Sequence, residues 1–204
     1  ITGLSALADG AVHLVDILAG DSPIVLDWRV LAASGVDSAD GSNGFHNPTT
    51  DTYAGAVDSI NGGVLPNMNG QHVAVLDGGT ADNYFLQSTR VATEADTYYT
   101  LTVALGVRDS ATSYGARLEI TSNGSVVASA SFDKATLDAL HGSDASGSFT
   151  DASVSWTTAS SVTTNQLLAI RVVKVGGVGT VIDFDNVRFT TAAASAYQSW
   201  VVEN

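Results

Sequence analysis

The 204-residue chain has no cysteine, only three prolines, and two lysines, Lys134 and Lys174. Without cysteine there are no disulfides, thiolate metal sites or cysteine nucleophiles. With 8 basic against 21 acidic residues the formal net charge is −13. That balance repels nucleic acid and anionic membranes at long range, and neither is expected as a partner. No apolar run reaches membrane-spanning length. No basic, apolar leader opens the chain, so any signal peptide is expected to have been removed. The four histidines, His13, His46, His72 and His141, do not pair at ligand spacing, which argues against zinc.

What is present is alternation. In residues 97–108, TYYTLTVALGVR, Tyr99, Leu101, Val103, Leu105 and Val107 share one face at a period of two. Tyr98, Thr100, Thr102, Ala104, Gly106 and Arg108 share the other, the pattern of a long half-buried strand. Shorter runs of the same kind surround it. Asn123-Gly124 between two such runs predicts a hairpin. Residues 133–140 form the one predicted helix, with Asp133 as its N-cap. The glycine-rich link at 176–179 lies between two strands and reads as a hairpin turn, since a phosphate loop needs a following helix. About ten short strands with almost no helix predict an all-β fold: a β-sandwich, most simply a jelly roll. One such domain is expected over 1–190, and 191–204 reads as a linker or tail toward a further, covalently linked domain.

No catalytic constellation is legible. There is no G-x-S-x-G, and Gln71-His72 and Arg117-Leu118-Glu119 stand in the wrong order for jelly-roll polysaccharide lyases. Asp183-Phe184-Asp185 places two acids on one strand phase with Val187 and Phe189, but no glutamate stands beside them as a tuned acid. If Val187 and Phe189 face the core, an aspartate points inward and needs a cation or backbone donors. If the strand begins at the surface, both carboxylates are hydrated. The pattern alone leaves both open. The chain is not expected to be an enzyme.

The segments QHVAVLDGG, TYYTLTVALGVR and VIDFDNVRF, in that order, together with GFHNP at 44–48, resemble the galactose-binding-like jelly-roll modules of secreted bacterial proteins. The resemblance spans roughly residues 24–190. It implies a structural Ca²⁺ between the last strand and the N-terminal segment. Asp185 matches the first of the family's paired terminal acids, with Asn186 in place of the second. Asp16 or Asp21 would stand in for the family's N-terminal glutamate, which this chain lacks.

Sugar sites need aromatic faces and planar polar groups. His46, Asn47 and Tyr53 offer these in one loop set. The outward face of 97–108 offers a shallow floor of small residues with Tyr98 and Arg108 at its ends, and Arg117 and Glu119 on a neighbouring strand. The expectation is therefore a non-catalytic carbohydrate-binding module that binds a polysaccharide or oligosaccharide. It would belong to a larger protein secreted from, or displayed on, a bacterial cell. The other reading is a structural or adhesive spacer domain with no small ligand.

Overall fold

A computed structural model describes residues 28–31, 44–46, 53, 67, 73–77, 82–109, 111, 113–176 and 180–194, with backbone alone at 28–31 and 44–46. In chain order the elements are β1 (Trp28–Leu31), β2 (Gly44–His46), β3 (Val73–Leu76), β4 (Tyr84–Ala92) and β5 (Thr97–Val107). There follow β6 (Gly115–Ser122), β7 (Ser125–Asp133), α1 (Lys134–His141), β8 (Ser148–Thr157), β9 (Leu167–Lys174) and β10 (Ile182–Ala193). The strands make two five-stranded antiparallel sheets, ordered β1-β4-β9-β6-β7 and β2-β3-β10-β5-β8. Packed face to face they form the expected jelly-roll β-sandwich.

The core follows from alternation. Tyr99, Leu101, Val103, Leu105 and Val107 of β5 are all 0% exposed and meet Leu118 and Ile120 of β6 and Leu168, Ile170 and Val172 of β9 in one cluster. Each such side chain contributes on the order of 1.5–3 kcal/mol by leaving water. The phenol of Tyr99 stays satisfied there, accepting from the Glu94 amide and donating to the Ala92 carbonyl. Ser122 pairs with Ser125 across Asn123-Gly124, both at positive φ, as the hairpin requires. The side chain of Asp133 caps α1 by accepting from the Thr136 amide at 2.8 Å.

Three expectations change. β9 and β10 belong to opposite sheets, so the glycine-rich link between them crosses the sandwich and is not a hairpin turn; residues 177–179 of it lie outside the described residues. Arg117 and Glu119 sit on β6, in the sheet opposite β5, and do not border the outward face of β5. The third change concerns β10. Ile182 and Phe184 face the core, and so does Val187, three residues further on. The period breaks because the register with β5 shifts between Asp185 and Arg188, where Asn186 adopts φ +46°. That bulge turns Asp183 and Asp185 away from the core, yet each is only 1% exposed. They are neither in the core nor in water. β10 then continues to Ala193, paired with Thr97, through the first residues of the stretch read as a tail.

Candidate functional site

The outward face of the β2-β3-β10-β5-β8 sheet has a sealed end. Val75, Asp183, Gly106 and Phe149 are successive register partners across β3, β10, β5 and β8. Tyr53 lies over this row, stacked on Phe149 with ring centroids 5.2 Å apart and planes at 29°. Tyr53, Val73, Ala104 and Phe149 form an apolar cluster of their own, outside the main core. Small residues make the closure possible: a Cβ on Gly106 would lie 2.5 Å from the Tyr53 hydroxyl and 2.6 Å from the Phe149 ring. The expected shallow floor at Ala104 and Gly106 is thus covered, because an aromatic pair needs the space that small side chains leave. The bulge ties in the adjoining loop, since Asn186 Nδ2 donates to the Asn67 carbonyl and Asn67 Nδ2 donates to the Phe149 carbonyl.

Three donors converge on Asp183 within that cover. Arg108 donates from Nε to Oδ2 at 2.7 Å and from Nη2 to Oδ1 at 2.8 Å, a bidentate pair. The Tyr53 hydroxyl donates to the same Oδ2 at 2.5 Å. The Asp183 side chain is fully buried, and that of Arg108 is 26% exposed. Burial, and then the charge of Asp183, pushes the Tyr53 phenol far above its ordinary range, so Tyr53 is a donor here. The hydrogen bond to Asp183 leads the causes that raise Arg108. Tyr114, just before β6, is also raised, first by burial and then by the charge of Asp183. The result is a preorganised pair of opposite charges beside an aromatic wall. A charge pair held in this way needs no reorganisation to stabilise charge that develops beside it.

Of the residues expected to bind a ligand, Tyr53 and Arg108 come together at this site. Tyr98 stands at the other end of β5, paired with Thr157 and Ala192, about 33 Å away at 3.3 Å per residue. His46 pairs with Val73 through the backbone of β2 and β3, and Asn47 lies outside the described residues. Gly106 was legible only as part of a floor, and Phe149 and Tyr114 were missed. Phe149 could have been found by its phase, since it shares the polar face of β8 with Asp151, Ser153 and Ser155.

Of the three expected metal ligands, Asp185 is buried, whereas Asp16 and Asp21 lie outside the described residues. Among the described residues no group of three or more His, Cys, Asp or Glu side chains gathers to hold a metal. A single carboxylate does not meet the six to eight oxygens that Ca²⁺ takes.

Comparison with known proteins changes the functional expectation. The profile of the HpiC1-like family, described as HpiC1 cyclase, matches residues 7–190. Among solved structures, a cyclase from Fischerella sp. TAU in complex with 4-(1H-indol-3-yl)butan-2-one is 21% identical, with a TM-score of 0.58 over 85% of this chain and 88% of that one. The apo form of a cyclase from Fischerella sp. is 19% identical, with a TM-score of 0.59 over 95% and 92%. A Stig cyclase from Fischerella sp. TAU in complex with (3Z)-3-(1-methyl-2-pyrrolidinylidene)-3H-indole is 20% identical, with a TM-score of 0.60 over 93% and 92%. These likenesses establish the jelly-roll fold. No curated protein matches the chain. The family match overturns the galactose-binding-like assignment and both non-catalytic readings, glycan-binding module and spacer alike. It removes the polysaccharide partner as well, and the ligands of the two cyclase complexes are small indole compounds.

Proposed function

We propose that this chain, which belongs to the HpiC1-like family of cyclases, catalyses ring closure on a small aromatic substrate at the sealed end of the β5 outer face. The observation that carries the siting is the Arg108–Asp183–Tyr53 network, buried on the side of the sheet away from the core. A buried ion pair is a poor source of stability, because desolvation offsets most of the attraction. Its place beside a stacked aromatic pair is better explained by chemistry on a bound molecule.

Ring closure needs a flexible chain folded into a reactive conformer with water excluded. The Tyr53–Phe149 stack supplies a flat apolar wall for an aromatic ring. Asp183 is held by three donors, so its charge is fixed before the substrate arrives and no reorganisation is needed as charge develops. Two of the five guanidinium N–H donors of Arg108 are spent on Asp183, which anchors the arginine at the rim.

By analogy with the cyclase complexes, an indole-bearing substrate is the first class to test. Isothermal titration calorimetry with 4-(1H-indol-3-yl)butan-2-one should show saturable binding to the wild-type protein. Replacing both charges, Arg108→Met with Asp183→Leu, should remove that binding while leaving a cooperative melt. No binding to the wild type, or binding untouched by the double replacement, would refute the site.

A structural Ca²⁺ held partly by Asp185 and completed from Asp16 or Asp21 is a separate proposal, supported by the burial of that carboxylate. A cation bound only by the folded state at a hundredfold excess over its dissociation constant adds about 2.7 kcal/mol. Chelation should lower Tm, and Asp185→Ala should abolish the response. An unmoved Tm with no metal by elemental analysis would refute it.

A further inference from the structure

We infer that Asp151 is a second polar contact of the same site, accepting a hydrogen bond at Oδ1 from a neutral N–H on the substrate, such as that of an indole. The inference rests on the siting proposed above. Asp151 follows Phe149 by two residues on β8, so the two side chains stand on one outward face, about 7 Å apart along the strand. Its register partner on β5 is Ala104, which belongs to the apolar cluster of Tyr53 and Phe149 and pairs on its other side with Asp185. Asp151 therefore borders the covered cluster, one row along from Asp183, Gly106 and Phe149.

Two arginine–aspartate pairs described on this face differ in how fully they are spent. Arg108 grips Asp183 through two aligned hydrogen bonds, and Tyr53 adds a third. Arg188, just past the bulge in β10, meets Asp151 at one point, with Nη2 2.6 Å from Oδ2. Among the described residues, Asp151 Oδ1 and Arg188 Nε and Nη2 have no partner in hydrogen-bond alignment, and all three atoms are buried. The two side chains are 38% and 40% exposed, so that exposure falls on their other atoms. A shielded carboxylate oxygen without a partner is costly, and such atoms persist where a ligand completes them. A carboxylate offers acceptors only, so its complement is a donor. Arg188 already balances the charge of Asp151, which favours a neutral N–H over a cation. An aromatic bicycle lying along β8 from the Phe149 ring brings the N–H on its edge toward Oδ1.

Two probes test this by calorimetry: the indolyl butanone and 4-(1-benzothiophen-3-yl)butan-2-one, in which sulfur replaces the N–H and the rest is kept. The wild type should bind the indole about tenfold more tightly than the benzothiophene. Asp151→Ala should erase that preference by weakening the indole alone. Comparing the two probes within each protein cancels any general effect of the substitution, and Tm should stay close to wild type because a partly exposed ion pair adds little stability. Equal affinities in the wild type would overturn the inference. So would a preference that survives in Asp151→Ala, or a variant that loses both probes alike, which would make Asp151 a support for the shape of the site. If Arg108→Met with Asp183→Leu abolishes indole binding while Asp151→Ala leaves it unchanged, the site stands and this inference alone fails. If the wild type binds neither probe, both fall.

Discussion

One face of β5 has two unlike ends. At one, Thr100 and Thr102 meet the exposed Ser155 and Ser153 in hydroxyl pairs at 3.2 and 2.8 Å. At the other, Ala104 and Gly106 are fully covered, under Tyr53 and Phe149 and beside the Arg108–Asp183 pair. Strand, sheet and phase are the same; what differs is side-chain volume and what the loops lay on top. Hydroxyls on a solvated face need no cover, whereas small residues leave room for aromatic rings, and those rings exclude water from a charge pair. The proposed site lies at the end where the strand itself contributes least.

Substitutions along β5 and its partners can break this contrast. The largest effect belongs to the opposite face: Val103→Asp places an unpaired charge in the core and should abolish cooperative folding, read by thermal melting. A normal melt would show the strand phase to be wrong. Next comes the charge pair. Arg108→Met alone strands a buried carboxylate and should cost about 3–5 kcal/mol, whereas adding Asp183→Leu should recover most of that loss in urea titrations. A double variant no more stable than the single would show that the pair supports folding. Gly106→Ala should cost about 1–3 kcal/mol by overpacking and should displace the Tyr53 ring, seen as altered near-ultraviolet circular dichroism. Smallest is Thr102→Val at the solvated end, within about 0.5 kcal/mol of wild type.

The fold was legible because β-sheet packing writes itself in a period of two. The core face of β5, the Asn123-Gly124 hairpin and the Asp133 cap all follow from local pattern. The site was less so. The bulge at Asn186 reverses the phase of β10 in mid-strand, and no simple alternation foretells it. Tyr53 and Arg108 were legible as chemically capable residues, but Phe149 looked like one more strand residue, and only the tertiary structure stacks it on Tyr53. The functional expectation failed for a related reason. VIDFDNVRF and TYYTLTVALGVR record how a jelly roll packs, and that packing is common to proteins that bind sugars and proteins that close rings.

The most direct measurement is calorimetric titration of the indolyl butanone into three proteins: wild type, Thr102→Val, and Arg108→Met with Asp183→Leu. A site at the sealed end predicts equal affinity for the first two and at least a tenfold loss in the third. Binding that survives in the double variant but is lost in Thr102→Val would place the ligand on the open end of the face and contradict the siting.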